Sequence, residues 1–427
     1  MSIQSETART PKLRFPEFSE EWEEKKLGDF NTLMQSGLSR MLSDSDIGIP
    51  VIRSNNIQSE SLNIEDLKYW YIKDPQGANI EDYFLTENDV LVNFINSLAQ
   101  IGKSVLYKNI LCRNAIFTTN IMRLKFESHV SPEFIFYFFL TKNYKKYIKT
   151  ITNPAANQAS FTTKSFKKLI IHLPTNQEQQ KIATFLTSVD TKIKLLTKKQ
   201  ELLKKYKKGL MQKIFNQAIR FKADDGSDFP DWEEKKLDDI INFLSDYTAN
   251  GSFASLKENV TYFLNLNYAA LVRTTDLAKK HFEPQRFTDQ KGYEFLKKTS
   301  LFGGEIIMAN VGSIGKVYRV PIYKHPMTLA PNTYVLKFKL DISENFIFQL
   351  MLRNNFKNKL LSMVGSSTLM AINKANLRSI KVEIPSLPEQ EKIANFLSSI
   401  DNKIEQIVKQ LDETKQFKKA LLQQMFV

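Results

Sequence analysis

The chain has 427 residues, more than one ordinary core needs and enough for two domains with connecting elements. Hydrophobic residues at 42% against 25% charged ones exclude a disordered chain beyond the polar first ten residues. No apolar run reaches the ~20 residues that span a bilayer, and Met1–Glu6 lacks the basic and apolar parts of a secretion signal, so the expected place is the cytoplasm with no membrane contact.

A net charge of +14 points to a polyanionic partner, most simply nucleic acid, although ribosomal and membrane-surface proteins share such a balance. The four histidines (His129, His172, His281, His325) are scattered, which supports neither a zinc site nor a catalytic triad. The one cysteine, Cys112, cannot close an internal disulfide and is expected to pack as a structural thiol beside Ile110 and Leu111.

In chain order, residues 1–10 are expected to be a flexible tail, and a first domain covers 11–173. It opens with Trp22-Glu23-Glu24-Lys25-Lys26-Leu27, carries a strand at Ile49–Arg53 and a helical stretch over Pro132–Lys149. A helical region follows over 174–220. The second domain, 221–384, opens with Trp232-Glu233-Glu234-Lys235-Lys236-Leu237, with a strand around Asn332–Phe338 and a helical stretch over Ser343–Met363. A second helical region fills 385–427. Short β-like runs among helices make each domain mixed α/β.

The two helical regions repeat each other 211 residues apart. Lys181–Ile193 returns as Lys392–Ile404, with nine of thirteen positions identical. Only two copies occur, so the repeat is a duplicated module and not a solenoid. Pro174 and Pro385 mark the lead-ins, and Glu178 and Glu389 put acid in the first turn, where the helix dipole favours it.

Sevenfold spacing from Ile182 gives Val189, Leu196, Leu203 and Leu210, and from Ile393 gives Ile400, Ile407, Thr414 and Leu421. Phe185, Leu186, Ile193 and Tyr206 widen one stripe; Phe396, Leu397, Ile404, Leu411 and Phe417 widen the other. Faces this apolar are expected to pack on each other, antiparallel, as long helices of roughly 58 Å. The remaining apolar width is left for a further partner.

Residues 174–220 hold 11 basic and 3 acidic residues, whereas 386–427 hold 6 of each, so more than half of the excess charge lies in the first helical region. Most of these lysines read as a solvated face, with a phosphate-facing or acidic-partner surface as the alternative.

Matching anchors recur in the two domains. Val51-Ile52-Arg53-Ser54-Asn55-Asn56-Ile57 answers to Leu271-Val272-Arg273-Thr274-Thr275-Asp276-Leu277, and Ile101-Gly102-Lys103 to Ile314-Gly315-Lys316. A forked guanidinium can reach guanine or phosphate, and asparagine can pair with adenine. The candidate DNA contacts are therefore Arg53, Asn55, Asn56, Lys103, Arg273, Thr275, Asp276 and Lys316. The competing reading is that the shared arginines belong to the scaffold and read no base.

Other motifs fall short of chemistry. Gln100–Ser104 resembles a phosphate loop but has Ser97 where the first glycine belongs, so it reads as a turn. Asn153-Pro154-Ala155-Ala156 lacks the aromatic residue of an adenine methyltransferase motif and reads as a loop. Glu65-Asp66-Leu67-Lys68 has nuclease-like spacing without a second acidic ligand and reads as a charged helix start. No catalytic residue, metal ligand or cofactor is expected on this chain. The alternative is a self-contained DNA methyltransferase or nuclease with duplicated recognition domains.

The duplicated Pro-x-x-x-Glu-Gln-x-Lys-Ile-Ala-x-Phe-Leu run (Pro174–Leu186, Pro385–Leu397), the Trp-Glu-Glu-Lys-Lys-Leu openings, the Gly-Lys turns and the long terminal helices together resemble the specificity subunit of type I restriction-modification enzymes. The resemblance covers the chain from about residue 11. It implies two target recognition domains, each reading one part of a split, asymmetric sequence in double-stranded DNA. It further implies two packed helical regions that dock two modification subunits, which bind S-adenosylmethionine and methylate adenine. A separate restriction subunit would supply ATP-driven translocation and cleavage. Thr414, at an apolar seam position, departs from the pattern.

Overall fold

The structure, a computed structural model, describes residues 10–58, 60–155, 158–279, 281–364 and 371–427. The expected tail, 1–10, lies outside the described residues except for its last residue. The chain forms two compact units, one made of Met1–Lys198 and Val408–Val427, the other of Lys199–Ile407. Each unit contains one mixed α/β domain, the start of one long helix and the end of the other.

In the first unit a four-stranded antiparallel sheet has the order Asn31–Ser36, Ile121–Phe126, Val90–Asn93, Ser104–Leu106. A smaller sheet pairs Gly48–Ile52 parallel to Ile116–Phe117 and antiparallel to Lys68–Tyr71. The second unit repeats the plan. Its larger sheet runs Ile241–Asp246, Thr333–Phe338, Ile306–Ala309, Val317–Arg319, and its smaller one sets Ala269–Val272 parallel to Met327–Leu329 and antiparallel to Phe287–Thr288, with Ser300–Leu301 as an added fourth strand beside Met327–Leu329. Equivalent strands hold equivalent places, so the two domains share one core plan.

The repeated opening strands are structural. Glu23–Lys26 pairs antiparallel with Ile170–Leu173, and Glu233–Lys236 with Lys381–Ile384, which ties the start of each domain to the strand that leads into its long helix.

The long helices run over Asn176–Phe215 and Leu387–Gln424. Within the first unit, Ile182, Leu186 and Val189 share a core with Leu421, Leu422, Met425 and Phe426. Within the second, Ile214 and Phe215, with Leu210 beside them, share a core with Ile393, Ala394 and Leu397. In both units the beginning of one helix meets the end of the other, which is antiparallel packing.

All sixteen seam residues are buried or half-buried: Ile182, Leu186, Val189, Ile393, Leu397, Ile400, Ile407, Leu411 and Leu421 fully, and Phe185, Ile193, Leu196, Leu203, Leu210, Phe396 and Ile404 partly. Thr414 keeps the register without being apolar: it is 8% exposed, and its hydroxyl donates to the Gln410 carbonyl at 2.7 Å. Tyr206 and Phe417, by contrast, are 55% and 52% exposed.

An aromatic triad recurs at the helix ends. Phe426 lies 5.1 Å from Phe134, which meets Trp22 at 5.8 Å; Phe215 lies 5.4 Å from Phe346, which meets Trp232 at 5.9 Å. The last turn of the first long helix and the residues just past the end of the second thus complete the cores around the opening tryptophans.

Several expectations need correction. The stretch Pro132–Lys149 is two helices, Pro132–Phe138 and Lys142–Ile151, because the Thr141 hydroxyl accepts from the Tyr144 amide and starts a new helix. Ser343–Met363 likewise splits into Glu344–Met351 and Asn354–Ser362. Glu65 and Asp66 lie in a bend before the strand Lys68–Tyr71, not at a helix start. Asn153–Pro154 forms a short strand against Ala159–Ser160, while Ala156 lies outside the described residues. Cys112 is exposed and sits at φ 53° in a turn, so it is no core thiol.

Candidate nucleic-acid interface

The Ile-Gly-Lys repeat makes the same turn twice. Gly102 and Gly315 have φ of 76° and 75°, a left-handed conformation that side chains rarely adopt. A Cβ on Gly102 would stand 2.7 Å from Ile148, and one on Gly315 would stand 2.9 Å from Leu360, so glycine also lets a helix pack closely. Strands follow both turns, Ser104–Leu106 and Val317–Arg319, where a phosphate loop would start a helix. Lys316 is exposed at its turn and Lys103 is half-buried.

One buried asparagine joins the first turn to the Arg53 loop. The Asn93 side-chain amide donates to the Ser54 carbonyl at 3.1 Å, its backbone amide donates to Lys103 at 2.8 Å, and its carbonyl accepts from Gly102 at 2.7 Å. Asn55 and Lys103 therefore sit on neighbouring turns, and Asn55 is exposed. In the second unit the short helix Thr274–Leu277 packs against the strands Ile306–Ala309 and Val317–Arg319, which brings exposed Thr275 close to the Lys316 turn.

Three candidates, Asn56, Asp276 and Arg273, are withdrawn as direct DNA contacts. Asn56 is 1% exposed; its Oδ1 accepts from the Arg53 amide and its Nδ2 donates to the Asn63 and Asp66 carbonyls, which uses its bonding capacity inside the loop. Asp276, fully buried, holds Arg273 through two hydrogen bonds of 3.0 and 2.6 Å. That pairing raises the Arg273 pKa and occupies its guanidinium fork. Arg273 is thus a scaffold arginine. Arg53 donates to both the carboxylate and the backbone carbonyl of Asp66, at 2.8 and 2.9 Å, and that acid side chain is 64% exposed.

Around this shared frame the surfaces differ. Ser43 bridges to Tyr69 and Phe263 bridges to Phe287, at equivalent places beside the smaller sheets. After Ser43 the first domain continues with Asp44 and Asp46; after Phe263 the second continues with Leu264 and Leu266, 81% and 58% exposed. Arg286 lies over the half-exposed ring of Tyr262, 5.9 Å from its centre. In the first domain, Lys145 and Lys149 stand exposed on the helix Lys142–Ile151. None of these was singled out from sequence; lysines four apart on an amphipathic helix were the available signal.

The Glu-Gln pair of the repeat proves to be a buried clamp. Glu178 is 1% exposed and receives both Nε and Nη2 of Arg14 at 2.8 Å. Glu389 receives Nη2 of Arg220 at 2.8 Å and the Trp232 indole at 3.2 Å. Each hydrogen bond raises the pKa of its arginine. Gln179 accepts from the Ser131 amide and donates to the Pro174 carbonyl; Gln390 does the same with Ser343 and Pro385. The motif locks each helix start to its domain and leaves no free group for chemistry.

Two copies of one scaffold that differ in their exposed loops, each completed by parts of a duplicated helix pair, define a protein with two distinct recognition surfaces. The chain belongs to the type I restriction modification DNA specificity domain family, whose profile matches residues 19–205 and 230–416. Two specificity subunits of type I restriction enzymes from Methanocaldococcus jannaschii are similar to it. MjaVIII is 25% identical over 96% of this chain and 92% of its own length; MjaIX is 27% identical over 77% and 75%. The solved S subunit of a type I restriction-modification system from M. genitalium shares the fold, at TM-score 0.60 and 16% identity, over 98% of this chain and 99% of that one. The protein is a DNA-recognition subunit with two recognition domains, and a non-catalytic one.

Proposed function

We propose that the two domains read the two parts of a split, asymmetric DNA target, and that the long helices carry two adenine methyltransferase subunits, through which restriction subunits join the complex in the cytoplasm. The observation that carries this reading is the shared core plan with unlike loops: acidic at Asp44 and Asp46, apolar at Leu264 and Leu266. Identical readers would suit a palindrome; these do not match. Lys103 and Lys316 would meet phosphates and position the duplex, while Asn55 and Thr275 would face base edges. Arg53 would reach a phosphate by giving up exposed Asp66. Exposed Tyr206 and Phe417, outside the helix seams, supply apolar area for docking.

The test is methyl transfer to DNA from labelled S-adenosylmethionine by the purified chain, alone and with a co-expressed type I adenine methyltransferase subunit. Transfer that requires both proteins supports the proposal. Transfer by this chain alone would favour the self-contained methyltransferase.

A further inference from the structure

The first domain holds a pocket of about 660 Å³ between its Gly102–Lys103 turn and the helix Lys142–Ile151, within the size range of small-ligand sites. Its apolar lining comes from Leu98, Ile101, Phe139, Leu140 and Ile148. Phe139 and Tyr144, both in the pocket wall, stack with ring centres 4.4 Å apart, and the Tyr144 hydroxyl donates to the Gly102 carbonyl at 2.8 Å, so the wall is braced.

Three lysines line the same pocket: Lys103 from the turn, and Lys145 and Lys149 four residues apart on the helix. The one acid among the lining residues, Glu60, is paired with Lys418, so it does not cancel them. Ser104, also on the lining, has a buried hydroxyl without a hydrogen-bond partner among the described residues. An apolar slot beside three cations fits a flat, apolar body that bears more than one negative charge. A fatty acid brings only one charge for three lysines. A nucleotide brings a base for the slot, polar base edges, and two charges, either as a monophosphate or from the phosphates on both sides of a nucleotide within a strand.

We propose that this pocket receives one nucleotide, its base against Leu98, Ile101 and Leu140 and its phosphate charge against Lys103, Lys145 and Lys149. The nucleotide comes either from an unstacked position of the bound DNA, which rests on the DNA-reading role above, or from the free pool, which does not.

The test uses the full chain with Ala99→Trp, which narrows the pocket from an exposed lining position, and Lys145→Glu, an exposed change that does not threaten folding. Adenosine, guanosine, cytidine and thymidine monophosphates are titrated in one arm, with inorganic phosphate as control. In the other, duplexes carrying the target found by methylome sequencing are scanned with 2-aminopurine in complex with the methyltransferase. A pocket for free nucleotide predicts binding of a monophosphate that both variants weaken about tenfold, a loss equivalent to one charge-assisted contact. A pocket for a DNA nucleotide predicts a rise in emission at one position that Ala99→Trp abolishes while the duplex stays bound. Either result supports the proposal. Monophosphates bound no better than phosphate, together with emission unaffected by Ala99→Trp, would overturn it. Failure of the chain to bind duplex would count against DNA reading alone, because the monophosphate arm stands without it.

Discussion

Lys418 and Asp190, one from each long helix, stand 2.6 Å apart in the first unit, and Lys207 and Asp401 form the same pair at 2.7 Å in the second. The residues are repeat equivalents, since 418 − 207 = 211 and 401 − 190 = 211. Antiparallel packing of duplicated helices must make such a bond twice, with the partners exchanged. Each aspartate also accepts from its own domain, Asp190 from the Tyr137 hydroxyl at 2.9 Å and Asp401 from the Gln349 amide at 2.9 Å. A triple junction of two helices and one domain results in each unit.

The two pairs differ in burial, which ranks their contributions. The Lys418 side chain is 6% exposed and also meets Glu60 and the Tyr137 ring, whereas Lys207 is 12% exposed with one acid. Because the acids remain partly open to water, Lys418→Met is expected to cost about 2 kcal/mol and Lys207→Met about 1 kcal/mol. Urea unfolding checks the order, and an Asp190→Asn/Lys418→Met double-mutant cycle checks the coupling. Equal losses would contradict the ranking.

Truncating the helix ends should damage the domain cores. Phe426→Ala and Phe215→Ala each remove a buried ring from a tryptophan-centred triad, at an expected cost of about 3 kcal/mol. Phe426→Leu should recover much of the loss. Thermal unfolding of the three variants decides, and an unchanged midpoint for Phe426→Ala would show that the C-terminal turn is dispensable.

The Glu-Gln clamp should affect folding and not target choice. Glu178→Gln leaves Arg14 without its bidentate carboxylate, so stability is expected to fall by about 2 kcal/mol. The methylated sequence in cells should stay the same. A changed motif would mean that the lead-in touches DNA.

Acid sensitivity follows from Asp74. Its carboxylate accepts from Arg40, the Trp70 indole and the amides of Gln76 and Ala78, with the Arg40 bond the main force that holds its pKa well below the ordinary 3.8. A depressed carboxylate stabilises the fold above the unfolded value, and the stability is lost as pH falls through the folded one. Asp74→Asn should therefore lower the melting temperature at pH 7, and the gap from wild type should close as pH drops below 3.8. A gap independent of pH would refute the charge-based origin.

Much of this was legible because duplication marks what folding requires. The Trp-Glu-Glu-Lys-Lys-Leu openings, the Gly-Lys turns and the seams recur since each serves one core plan. Arg14 and Arg220 escaped notice because they lie eight and twelve residues before Trp22 and Trp232, at spacings that break the repeat. Asn56 and Asp276 misled for a chemical reason: groups that can read a base edge also bind loop amides and arginines, and only burial tells the two uses apart. The double helices in place of Pro132–Lys149 were hidden because Thr141 caps a helix yet fits an uninterrupted periodic pattern.

The central claim is that two unlike domains read separate parts of one target. Methylome sequencing of cells carrying the chain with its methyltransferase, as wild type and as Asn55→Ala/Lys103→Ala, tests it most directly. The account predicts a split, non-palindromic motif in which the variant relaxes one part and leaves the other part and the spacing intact. A continuous motif, or relaxation of both parts together, would contradict it.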